Sequence, residues 1–354
     1  MKGMTAGAGS NSLVKRVLWI DILKGLGIIA VVLGHSGYQN GYFMFFFHMP
    51  LFVFASGYLY KKNSNMSWWE ASKRKFKHLM VPYIAYMLLI TLIMCSYNLV
   101  AGAPLLKALS LDWKSLILGG SLLNGAYGVF WFVTFLFTVQ ILYDFLQRKV
   151  KSSWFLGLII IAFYGIAHWE STNYQHIFVP GNVDVALFGI IFYALGHLFH
   201  EKDWLNHEKD WLNKEGVGRL LLLGAIAYLA VFFYLYAEGM IRFGLDLKHR
   251  QYYFLGTVIL TPLSCTIIVA FLSKLLSRIK VIRTMLEFLG KATMEIMYLH
   301  IMTGIIISKF IPLPWYLFLL AGLLFPSVWY YSLLKLKELK NIRSHTRYLA
   351  KEKI

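Results

Sequence analysis

Four ionisable side chains within the first 48 residues have the types and spacing for proton transfer: Asp21, Lys24, His35 and His48. Each lies in or beside an apolar run, and an ionisable group at membrane depth marks function because its desolvation is costly. Each residue of an α-helix advances about 100°, so Asp21, Lys24 and His35 share one face; Lys24 and His35 stand about 16 Å apart along the axis. Histidine titrates near neutrality and suits proton abstraction from a hydroxyl. Gly34 and Ser36 flank His35 and leave its ring accessible. Asp21 and Lys24 read either as an ion pair that neutralises itself for insertion or as a ligand contact. His48 opens the run HMPLFVFASGYL. A hairpin over the short loop 37–41 would set it opposite His35, as a hydrogen-bond partner for that residue or for substrate. No third ligand stands at metal spacing, so no metal site is expected.

Helices that cross a bilayer must position these groups. A chain of 354 residues that is 58% hydrophobic and 15% charged does not form a soluble globule. Spans of about 20 apolar residues are predicted at 17–36, 42–60, 79–100, 126–147, 153–168, 183–200, 217–237, 251–274, 292–309 and 313–334. The expected fold is an all-α polytopic integral membrane protein with about ten transmembrane helices and both termini cytoplasmic. Lys and Arg set that orientation, since cytoplasmic loops retain the cationic excess. With an inside N-terminus, 28 of the 35 fall in cytoplasmic segments and six in outer loops, leaving Lys24 within a span. Topology and anionic membrane lipid therefore account for the +18 charge, and no nucleic-acid partner is needed.

Residues 1–16 read as a disordered leader that precedes a retained anchor, residues 17–336 as the membrane domain, and residues 337–354 as a basic cytoplasmic tail. HEKDWLN occurs at 200–206 and again at 207–213. The period of seven predicts a short interfacial helix there, as a loop-lengthening duplication or a partner-binding element. Cys95 and Cys265 lie in apolar runs and read as buried thiols.

Five segments occur in a characteristic order: WIDILKGLGIIAVVLGH, FHMPLFVFASGYLY, KRKFKHLMVPY, GVFWFVTFLF and LGKATMEIMYLH. Together they resemble the integral-membrane acyltransferase family three, particularly its fucose-acetylase-like and exopolysaccharide-acetylase-like branch, over most of the chain. The resemblance implies a ten-span enzyme of the bacterial cytoplasmic membrane. It would move an acyl group, acetyl by expectation, from cytoplasmic acyl-CoA to a sugar hydroxyl of a lipid-linked or surface glycan. His35 matches the family's proposed catalytic histidine. Lys24 stands where many members carry arginine, which keeps the charge and loses the bidentate fork.

The cationic run Lys73, Arg74 and Lys77, with Lys75, Lys61 and Lys62 nearby, suits the phosphates of coenzyme A and equally serves topology. Trp131 and Asn124 open the fourth span, where aromatics form an interface belt or stack on sugar rings. Asn124 is also a candidate oxyanion donor. Asp184 shows no charged neighbour in sequence and is a candidate for sugar hydroxyls, whereas Glu295 can pair with Lys291. His168, His176, His197 and His300 read as structural or interfacial. A proton-coupled transporter or exporter built on Asp21, Lys24 and His35 is the competing class.

Overall fold

A computed structural model describes residues 17–102, 104, 112–205 and 216–351, with side chains to residue 341. Its helices are α1 (Leu18–Gly34), α2 (His48–Tyr58), α3 (Trp68–Val100), α4 (Trp113–Leu118), α5 (Trp131–Lys149), α6 (Ser153–Asn173) and α7 (Val185–Glu201). They continue as α8 (Val217–Ala237), α9 (Thr257–Leu276), α10 (Lys280–Lys291), α11 (Thr293–Ile307) and α12 (Trp315–Lys351). The predicted leader 1–16, the second repeat copy and residues 352–354 lie outside the described residues.

Among the described residues, seven helices are long and apolar enough to cross a membrane: α3, α5 to α9 and α12. The chain is accordingly a multi-pass membrane protein. The other three predicted spans, 17–36, 42–60 and 292–309, contain helices of only 17, 11 and 15 residues. All three are interior elements. Ile22, Leu23, Ile28, Val31 and Val32 of α1 are fully covered, as are Leu51 and Val53 of α2 and Ile296 and Tyr298 of α11. A 3-10 turn, Gly41–Phe46, precedes α2, and such irregular backbone is tolerated at membrane depth where protein encloses it.

Close backbone approach packs these inner helices. A Cβ at Gly25 of α1 would collide with the Leu286 carbonyl of α10, and one at Gly290 of α10 would collide with the Asp21 carbonyl of α1. Gly57 of α2 and Gly196 of α7 meet each other's helices in the same reciprocal way, against the carbonyls of Tyr193 and Phe54. Small residues at facing positions let helices pack where hydrophobicity gives no preference between neighbour and lipid.

Two elements depart from the sequence reading. Helix α3 begins at Trp68, eleven residues before the predicted span, because Ser67 and Glu70 form a capping box and nothing breaks the helix between them. The described part of the first repeat copy is a turn and not an interfacial helix. Helix α7 ends at Glu201, Asp203 takes a φ of 55°, Trp204 packs on Phe199 and Leu205 is buried. An antiparallel ladder, β1 (Leu245–Asp246) with β2 (Gln251–Tyr252), lies between α8 and α9. Tyr252 anchors it by stacking on Phe188, centroids 4.2 Å apart.

Candidate active site

His35 ends α1 and its Nδ1 lies 2.8 Å from the Val31 carbonyl oxygen. The Nδ1 of His48 bonds the Met44 carbonyl, and that of His300 lies 2.9 Å from the Ile296 carbonyl. A carbonyl oxygen only accepts. Each Nδ1 therefore carries a hydrogen, and in the neutral form of each ring the lone pair lies on Nε2. Three imidazoles from three helices are thus held in the tautomer whose Nε2 is a base.

The rings form one aromatic group. His35 and His300 meet edge to face at 5.2 Å, and Phe45 meets His35 at 5.2 Å and His48 at 5.1 Å. His35 is half-buried; His48 and His300 are 1% and 0% exposed. The Nε2 of His300 is buried without a hydrogen-bond partner. An unmet polar atom of this kind costs about 1–3 kcal/mol, and groups of this kind collect at functional sites. Among the described residues, no three His, Cys, Asp or Glu side chains are arranged to hold a metal.

Sequence reasoning set His300 aside, yet the structure puts it beside His35. The signal was its place at the end of the segment LGKATMEIMYLH. His48 does lie close to His35, but Phe45 touches both rings, and no hydrogen bond joins the two histidines among the described residues.

Lys248, in the β1–β2 hairpin, joins the same end of the bundle. Its Nζ donates to the Leu123 carbonyl at 2.5 Å and to Asn124 Oδ1 at 3.5 Å. Burial draws the Lys248 ammonium below the ordinary lysine value, with Asp246 opposing the shift. Asn124 also donates to the Leu122 carbonyl at 3.1 Å. Trp131 is buried against Phe135 and Phe132, a core position. The isolated reading of Asp184 is corrected: Arg250 Nη1 donates to Asp184 Oδ2 and Glu170 Oε1, both at 2.9 Å. Lys291 pairs with Glu287 and not with Glu295, because α10 ends at Lys291 and Glu295 lies on the next helix.

The opposite end holds the other candidates. Asp21 and Lys24 form an ion pair at 3.5 Å, with the Asp21 residue 3% exposed. Lys73, Arg74 and Lys77 are exposed on α3, Lys73 lying over the Trp69 ring. Lys75 turns inward, donating to the Gln140 carbonyl at 2.9 Å. Beside it lies a network absent from the sequence reading. Buried Asp144 accepts from Tyr60 at 2.7 Å and Arg148 at 2.8 Å, and Arg148 also clamps the Met66 carbonyl at 2.6 Å. Asp144 and Arg148 stand at i, i+4 in an apolar helix, a visible signal.

Apolar helices that keep ionisable groups at both ends, with three histidine rings grouped at one, define a multi-pass membrane protein. The acyltransferase domain family matches residues 17–333. The chain belongs to that family, the acyltransferase 3 family. No curated protein and no solved structure matches it.

Proposed function

We propose that this membrane acyltransferase moves an acetyl group from cytoplasmic acyl-CoA to a sugar hydroxyl of a cell-surface or lipid-linked glycan, with His35 as general base. The observation that carries the reading is His35 itself. Its Nδ1 is committed to a backbone carbonyl, and its half-buried ring offers a basic Nε2 next to His300. His35 takes the hydroxyl proton as the acceptor oxygen forms its bond to the thioester carbonyl carbon. The carbon–sulfur bond then breaks, and the CoA thiolate leaves with the proton that His35 held. His300 and His48 fix the ring edge-on through direct contact and through Phe45, and Asn124 is the oxyanion donor.

The exposed cations Lys73, Arg74 and Lys77 fit the phosphates of acyl-CoA, with Asp21 and Lys24 along the route of its pantetheine arm. The acceptor approaches from the His35 end. The bacterial cytoplasmic membrane is the setting this chemistry fits.

The test is release of free CoA thiol by purified protein given acetyl-CoA and bacterial glycan lipids, with His35→Gln as comparison. His35-dependent release with an acetylated glycan is the expected result. Saccharide counterflow without modification or thiol release overturns it in favour of transport.

A further inference from the structure

A cavity of about 550 Å³ opens beside the β1–β2 hairpin, between the end of α6 and Ser121. Its volume falls in the range of small-ligand sites, about 300–1,000 Å³. Every side chain that lines it is polar, among them Asn173, Gln175, His176, Lys248 and Gln251. Among the described residues, no aspartate, glutamate, aliphatic or aromatic hydrocarbon side chain contributes to the wall. Such a lining suits a polyhydroxylated ligand and not an acyl chain or a sterol.

Buried polar braces hold the walls in place. Arg250, 8% exposed, ties the hairpin to Glu170, Asp184 and the carbonyls of Gln175 and Ile177. Asn182, 3% exposed, donates to the Lys248 carbonyl at 2.8 Å and accepts from the Ser121 amide at 2.8 Å. Both residues take positive φ, 56° for Arg250 and 53° for Asn182. That conformation persists only where surrounding contacts enforce it.

The charge of the wall is specific. Two carboxylates offset Arg250 from behind the wall. Lys248 has no such direct partner: its bonds go to a backbone carbonyl and an amide oxygen, and it makes no ion pair among the described residues. Through those two bonds it ties the cavity wall to the Leu123–Asn124 turn.

We propose that this cavity is the subsite for a saccharide bearing an anionic group, a carboxylate on the sugar or a phosphate linked to it. Lys248 contacts the anion, and Asn173, Gln175 and Gln251 contact ring hydroxyls. The proposal rests on the acyl-transfer reading in taking this saccharide as the acceptor, held with one hydroxyl toward His35. Binding itself needs no acyl donor.

The experiment uses the full chain in nanodiscs of zwitterionic lipid, without acyl-CoA. Binding of trigalacturonate, glucose 1-phosphate and maltotriose is measured for wild type, Lys248→Met and the double variant Asn173→Leu/Gln251→Leu. At least one anionic probe is expected to bind tenfold more tightly than maltotriose, and the tighter one identifies carboxylate or phosphate. Lys248→Met removes that preference, and the double variant weakens all binding tenfold or more. Asn173→Cys, labelled by a maleimide with and without probe, supplies a readout independent of variant folding: bound saccharide slows labelling. Equal binding of all probes, unchanged binding by the variants, or absence of protection identifies a solvent crevice only and overturns the proposal. Probe binding without thiol release leaves the subsite standing and removes the acyl-transfer reading. His35-dependent transfer unaffected by the double variant does the reverse.

Discussion

Helices α1 and α8 are similarly apolar, yet they occupy opposite environments. In α8 only Ala225 and Phe232 are buried, while Leu220 and Val231 are 68% and 59% exposed. Most of α1 is covered on every side, and it carries Asp21 and Lys24 and ends at His35. The apolar surface of α8 faces lipid, so its length is set by bilayer thickness. That of α1 faces other helices, so its length and composition follow packing and chemistry. Polar groups and glycines mark the inside of this bundle, and unbroken hydropathy marks its outside. In water the signs would be reversed.

The largest expected effect tests the chemistry of the inner region. His35→Gln should lower transfer by about 10²–10⁴-fold, the usual contribution of a general base, with acetyl-CoA binding unchanged by calorimetry. Activity within tenfold of wild type would reduce the contrast between α1 and α8 to packing alone.

Removing one partner of the buried network is next. Asp144→Ala leaves Tyr60 and Arg148 without their acceptor and should destabilise the protein by about 3–5 kcal/mol, read as a fall in melting temperature in detergent. Trp154→Leu, at an exposed position on α6, is the matched control and should melt like wild type.

Glycine variants sharpen the comparison further. Gly290→Ala places a Cβ against the Asp21 carbonyl and should cost about 1–3 kcal/mol by overpacking. Gly157→Ala on the peripheral α6 meets nothing within 4 Å and should be neutral or stabilising by up to about 1 kcal/mol, as alanine favours helix. Similar melting shifts for the two would contradict the assignment of inside and outside.

Smaller effects belong to the two ends. Replacing Lys73, Arg74 and Lys77 together by alanine should raise the KM for acetyl-CoA several-fold, reduce its salt dependence and leave kcat unchanged, because exposed charges contribute weakly. At the other end, affinity for an anionic saccharide should fall as pH rises through the Lys248 value. Lysine is cationic below its pKa, and burial has lowered that pKa, so the loss should come at a lower pH than for an exposed lysine. A pH titration of binding checks the sign.

Composition alone settled the membrane class, because a chain this apolar cannot cover itself with solvated surface. The positions of seven long helices were legible for the same reason, and His35 stood out by its chemistry and the segment that holds it. Lengths of α1, α2 and α11 were not legible, since hydropathy reports burial without saying whether lipid or protein supplies it. His300 and His35 are 265 residues apart, and no periodicity relates them. Packing of α11 on α1 decides that their rings touch. Likewise Arg250 finds Glu170 and Asp184 across 80 and 66 residues. Local sequence encodes which surfaces are apolar and which groups can react; only the tertiary structure brings reactive groups on separate helices within bonding distance.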